Sequence, residues 1–234
     1  MSRAAVVPAV IPASLRDLEA AAARVRRCVP RIQVDIIDGV YAPEASWPFA
    51  AGGEREFREL VSEKRGLPFW EELDYDLDAM VQRPERYLGQ WISAGFSTVI
   101  IHLSSTREIP GIIHEAKERD VAVALALRPS DACALAAPYI EDIAFIQCMG
   151  SDTIGFHGVP LDPHVYEKIR EIKQRWPSLP VAVDIGVSEA TAPRLRETGA
   201  DILVSGSAVF SSPDPCAAIA RLSGEGEKEK ERRV

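Results

Sequence analysis

Residues Arg31 to Pro43 read RIQVDIIDGVYAP. The apolar run Ile32 to Asp38 within it has the length and β-branched content of a buried strand. A two-residue period puts Gln33, Asp35 and Ile37 on one face and Val34, Ile36 and Asp38 on the other. Two polar groups facing inward on a buried strand are costly unless something pairs with them. Asp38 precedes Gly39 and reads as the start of a turn.

Seven further runs of this kind follow the same spacing along the chain. With the first they are Ala5 to Ile11, Ile32 to Asp38, Glu72 to Asp78, Thr98 to Leu103, Ala122 to Leu127, Ile143 to Met149, Val181 to Ile185 and Ile202 to Ser205. The segments between carry apolar residues three and four apart, as in Leu18, Ala22, Val25 and in Val165, Ile169, Ile172. Strands alternating with helices are the pattern of βαβ units and a parallel sheet. Eight of them predict closure into a single α/β domain, a (β/α)8 TIM barrel over residues 1–223.

Two segments break the spacing. Gly39 to about Gly53 is rich in Pro, Ala and aromatics, and so long a connection reads as a lid or binding loop at the C-terminal face; its Trp47 and Phe49 either pack the loop down or cover a ligand. Residues 224–234, GEGEKEKERRV, are almost wholly charged and read as a disordered tail.

The chain has 234 residues, 47% of them apolar and 26% charged, enough for a full core. A net charge of −8 offers no basic field for nucleic acid or an anionic membrane, which argues against both as partners. Pro8 and Pro12 interrupt the apolar N-terminus, which reads as a strand and not as a signal peptide. Cys28, Cys133, Cys148 and Cys216 lie far apart with no C-x-x-C pair and read as reduced, which points to the cytoplasm.

The strand ends gather acidic residues. The third strand puts Asp74, Asp76 and Asp78 on one face, and the seventh ends on Asp184. The barrel mouth is thus expected to hold Asp35, Asp78 and Asp184, with Gln33 one step deeper. Three close carboxylates stay ionised only with a cation among them, or one takes a proton. Strands seven and eight run into Ile185-Gly186-Val187-Ser188 and Ser205-Gly206-Ser207, each before a helical segment. Glycine lets the backbone approach an anion, and N–H groups at a helix start point towards it. Gly186, Gly206 and Ser207 therefore read as a phosphate site, which barrels often place after these two strands.

With these residues in view, the chain resembles the ribulose-phosphate 3-epimerase family from about Val7 to Leu222. The resemblance rests on VPAVI (Val7–Ile11), QVDIIDG (Gln33–Gly39), MVQRPERY (Met80–Tyr87), IIHL (Ile100–Leu103), GFHG (Gly155–Gly158), VDIGV (Val183–Val187) and GADILVSGSAVF (Gly199–Phe210). It implies that Asp35 and Asp184 exchange the C3 proton of a ketose phosphate through an enediolate. It also implies a mobile loop over the site at Gly155, His157 and Gly158, and a divalent metal held by the two aspartates and two histidines.

Those histidines fall at Gln33 and Asp78, so the resemblance is to a divergent member. The family's first-strand serine falls at Ala9, its first glycine after the strand-seven aspartate at Ile185, and its Asn-Pro at Arg128-Pro129. The remaining set, Gln33, Asp35, Asp78 and Asp184, is all oxygen and suits Mg or Mn better than Zn or Fe. Alternatively there is no metal, and Arg128 supplies a fixed positive charge at the mouth or pairs with a loop carboxylate. His102 reads as a hydrogen-bonded core residue. No organic cofactor is expected, and a homo-oligomer is compatible with the sequence.

Two functions follow from the resemblance. One is a ribulose-phosphate 3-epimerase-like isomerase of a ketose phosphate, in which Arg128, His157 and the glycine turns contact substrate. The other is a non-catalytic barrel that binds a sugar phosphate. A decarboxylase or synthase of the same superfamily needs a lysine among the strand-three aspartates, and Leu73 to Met80 has none.

Overall fold

The computed structural model describes residues 3–156 and 158–225. Eight parallel strands close into a barrel in sequence order, with the last pairing back to the first. They are β1 (Ala5–Val10), β2 (Arg31–Ile37), β3 (Asp74–Met80), β4 (Thr98–His102), β5 (Ala122–Leu127), β6 (Ile146–Met149), β7 (Val181–Asp184) and β8 (Ile202–Ser205). The helices outside are α1 (Leu15–Val25), α2 (Gly53–Val61), α3 (Leu88–Ser93), α4 (Ile109–Lys117), α5 (His164–Arg175), α6 (Ala192–Thr198), α7 (Ser207–Phe210) and α8 (Pro215–Ser223). Between β5 and β6 a 3₁₀ segment, Cys133–Tyr139, takes the place of an α-helix and contains Pro138. Proline cannot donate to a regular helical ladder.

The expected strands are all present, with shifted ends. β3 starts at Asp74 because the N–H groups of Glu72 and Leu73 are still bonded to the Phe69 carbonyl in a turn. β6 starts at Ile146, three residues later than its apolar run suggests. The strands separate two apolar clusters. The larger lies between barrel and helices and contains Leu18, Ala22, Val25, Val165, Ile169 and Ile172, the positions marked by helical spacing. The smaller fills the barrel and includes Val7, Ala9, Ile100, Ala124, Phe145, Ala182 and Val204.

The long β2–α2 connection is pinned down. The Asp38 carboxylate accepts the N–H groups of Val40 and Tyr41 at 2.8 Å through one oxygen, and that of Gln82 at 2.8 Å through the other. The Ser46 hydroxyl accepts from Ile37 N–H and donates to the Asp35 carbonyl, both at 2.9 Å. Trp47 is fully buried with its ring edge-on to Phe57, so it anchors the loop and does not cover a ligand.

One expectation is corrected. Cys28 and Cys216 are joined by a disulfide, with Cα atoms 5.3 Å apart; only Cys133 and Cys148 are free, and both are buried. Barrel closure lays α1 beside α8 and brings together residues 188 positions apart, which sequence spacing cannot reveal. The cysteines thus no longer argue for a reducing compartment. Helix α8 ends in a left-handed cap at Gly224. Most of the charged tail lies outside the described residues. Among these, no helix is long and apolar enough to cross a membrane.

Candidate active site

Asp35 and Asp78 are cross-strand neighbours on β2 and β3, and Asp184 ends β7 opposite Met149 of β6. All three side chains point into the barrel near its C-terminal end, where one oxygen of each lies within 4.8 Å of the others. The expected gathering of Gln33, Asp35, Asp78 and Asp184 is therefore present. The two remaining strand-three aspartates lie lower: Asp76 is buried against Arg31, 3.3 Å away, and Asp74 is exposed.

Each carboxylate is held by protein donors. Gln33 Nε2 donates to Asp35 Oδ1 at 2.8 Å and to Asp184 Oδ2 at 3.2 Å. Asp184 Oδ1 accepts the N–H of Ile185 at 2.7 Å. Asp78 is fully buried, with Oδ1 2.9 Å from His102 Nε2 and Oδ2 accepting from Gln147 Nε2 at 3.1 Å. His102 is thus the hydrogen-bonded core histidine the sequence suggested. Gln147 was missed, although a glutamine in the buried apolar run AFIQCM is the same signal as Gln33 on β2.

Burial first, and the repulsion of its neighbours second, set the acidity of this cluster. Burial raises Asp35 well above the usual carboxylate range, and Asp184 and Asp78 raise it further. Asp184 is pushed up to about 7 by burial and by Asp78, against the opposing pull of the Ile185 N–H and the Gln33 amide. A carboxyl poised near neutrality suits proton transfer to and from carbon.

Above this cluster a cavity open to solvent is lined by Asp35, Asp184, Met80, Met149, Ile185 and Val204. Gly186, Gly206 and Ser207 line the same cavity, as do Gly155, Phe156 and Gly158 of the loop after β6. Gly206 caps the short helix α7, whose first N–H groups have no intrahelical acceptor. Gly186 has φ of +73°, and a Cβ there would come within 2.6 Å of the Leu161 backbone, so glycine is required twice over. His157 lies outside the described residues. Asp78, Gln33, His102 and Gln147 lie beneath the cavity floor and do not line it.

Arg128 does not line this cavity either. Its guanidinium lies over the Tyr41 ring, 5.0 Å from the centroid, and its backbone N–H is bonded to Asp131 Oδ2. Its buried Nε has no partner among the described residues. The expected pairing with a loop carboxylate is absent among the described residues.

Ile185 adopts φ of +74°, a region L-residues enter at a cost of about 1–3 kcal/mol. It is the one β-branched residue among the non-glycine residues described with positive φ. The turn aims its N–H back at the Asp184 carboxylate.

The molecule is thus a closed (β/α)8 barrel with an acidic floor and a glycine-lined rim at the C-terminal ends of its strands. Profile matching to the ribulose-phosphate 3 epimerase family extends over residues 5–210, and the chain belongs to that family. The ribulose-phosphate 3-epimerase of Schizosaccharomyces pombe is 27% identical, covering 95% of this chain and 93% of its own. That of Bacillus subtilis is 28% identical over 82% and 85% of the two chains. The crystal structure of 3-hexulose-6-phosphate synthase from Salmonella typhimurium superposes with a TM-score of 0.70 at 16% identity, over 97% of this chain and 99% of that one.

The family resemblance implied a divalent metal, and the three carboxylates fit one. Their oxygens are buried, close and hard, the donor chemistry of Mg or Mn. Gln33 contributes an amide nitrogen to the two carboxylates as placed, and so acts here as a hydrogen-bond donor.

Proposed function

We propose that this chain is an epimerase of a ketose phosphate that inverts C3 by proton transfer between Asp35 and Asp184. The observation that carries this reading is the pair of buried carboxylates, brought from β2 and β7 to one amide nitrogen under a glycine-rimmed cavity. One ionised carboxylate takes the C3 proton, and the bonding electrons move onto the C2 carbonyl to give an enediolate. The other, protonated, carboxyl returns a proton to the opposite face of C3. The pair ends with its proton moved from one side to the other, so the enzyme resets on the reverse reaction or by exchange with water.

Backbone N–H groups near Gly186, Gly206 and Ser207 hold the phosphate in this proposal; Gly155 and Gly158 line the sugar's side of the cavity, and His157 is a proposed substrate contact. Arg128, stacked on Tyr41 at the end of β5, is proposed as a further substrate contact. A hard divalent cation, Mg or Mn, would be held by Asp35, Asp78 and Asp184, with Gln33 as the fourth member of the set. When bound, it would supply positive charge against the oxygens of the enediolate. No organic cofactor enters the reaction, and the proposed compartment is the cytoplasm.

The second reading is a barrel that binds a sugar phosphate without turning it over. It is favoured by Asp78, whose two oxygens are already taken by His102 and Gln147. Solvent deuterium exchange into ribulose 5-phosphate, followed by NMR, tests the choice. Incorporation at C3 is the expected result; phosphate binding with no incorporation under any metal would replace the first reading by the second.

A further inference from the structure

Left-handed backbone conformation at the end of β7 needs no side chain. A glycine would make the same turn, and the same N–H bond to Asp184, without steric strain. Yet the position carries Ile185 at φ +74°, and its side chain packs against the cluster inside the barrel. Along the chain it stands between Asp184 and Gly186, and all three line one cavity. Strain held at a site lining a cavity points to work done by the side chain there.

We propose that Ile185 is a specificity wall that reads C4, the carbon next to the reacting centre on the phosphate side. This rests on the ketose-phosphate reading above. With C3 at Asp184 and the phosphate at Gly186, Gly206 and Ser207, two carbons of a pentulose 5-phosphate intervene, and C4, the one bonded to C3, lies alongside the Ile185 methyl groups. Those groups offer no hydrogen-bond partner, so a hydroxyl turned towards them loses its water without replacement. A hydrogen turned towards them packs. The preferred substrates are therefore ketose phosphates whose C4 presents hydrogen on the β7 side. Ala9, across the cavity on β1, has no polar side-chain atom with which to reverse that preference.

The test is calorimetric binding of three probes to the full chain and to Ile185→Gly and Ile185→Ala. The probes are inorganic phosphate, D-ribulose 5-phosphate and its C4 epimer L-xylulose 5-phosphate. The unaltered chain should bind phosphate and separate the two epimers by about 10-fold or more, the scale on which apolar contacts discriminate. Ile185→Gly should bring that ratio close to one and leave phosphate affinity unchanged. Ile185→Ala keeps a Cβ in the same backbone and should also lose selectivity. Equal affinity for the epimers in the unaltered chain, or a ratio that neither substitution moves, would overturn the wall while leaving the phosphate site standing. Failure to bind inorganic phosphate at all would remove the ketose-phosphate reading itself, and this inference with it.

Discussion

Gln33 Nε2 lies 3.2 Å from Asp184 Oδ2, a contact across 151 positions of sequence, and the same nitrogen reaches Asp35 at 2.8 Å. One neutral amide therefore fixes the spacing of the two carboxylates proposed to exchange the C3 proton. Removing it by Gln33→Ala takes a donor from each. A hydrogen bond to a charged group contributes roughly 1.5–3 kcal/mol, so the exchange rate should fall by about 10- to 100-fold. Phosphate affinity, measured by calorimetry, should stay within about twofold because the phosphate turns do not touch Gln33.

Asp184→Asn should abolish C3 exchange while leaving phosphate affinity nearly unchanged. The carboxyl is needed for its proton, and the amide cannot take one. If deuterium-exchange rate and phosphate affinity fell together, Asp184 would be holding the β7 turn through its bond with Ile185 N–H and not transferring a proton.

Stability of the metal-free protein should fall as pH rises through the acid range. Unfolded Asp184 ionises at its ordinary value of 3.8, while in the fold burial holds it up to about 7. Below the first value both states carry the proton and this residue has no effect. Between the two values only the folded state keeps it, so the folded chain binds more protons and loses ground with each increment of pH. Above about 7 the loss levels off, at an order of magnitude of 4 kcal/mol for this residue alone. Chemical denaturation in chelator at several pH values checks it. The unaltered chain should lose stability relative to Asp184→Asn between about pH 4 and 7, and equal pH dependence in the two would contradict the buried-carboxylate account.

The barrel was legible because its evidence is local. Eight β-branched runs alternate with segments whose helical spacing marks residues that prove buried, such as Val165 and Ile169. Asp35 and Asp184 were legible for the same reason, as polar residues inside apolar strands. What sequence hid was contact between distant elements. Gln147 reaches Asp78 only because the barrel closes, and Cys28 meets Cys216 only because α1 and α8 become neighbours. The β2–α2 connection had the composition of a lid, yet one hydroxyl, that of Ser46, and one buried ring, that of Trp47, hold it down. Arg128 sits at a strand end as expected, but aromatic stacking on Tyr41 decides where its charge lies.

The cation separates the two functional readings. Replacing two neutral histidines of the family pattern by Gln33 and Asp78 changes the formal charge of the set from −2 to −3, with Asp35, Asp78 and Asp184 all ionised. Such a set attracts a hard divalent ion and no longer selects a soft one. Mg or Mn should therefore raise the melting temperature and support C3 exchange, and Zn should bind weakly, as read by calorimetry and by elemental analysis. Asp78→His should shift the preference towards Zn, Co or Fe. It should also lower the metal-free melting temperature, because His102 Nε2 and Gln147 Nε2 lose the carboxylate they share, and a buried donor left unpaired costs about 1–3 kcal/mol. Exchange that persists in excess chelator would sink the metal-dependent version. Phosphate binding without exchange under any of these metals would instead make the chain a sugar-phosphate-binding barrel.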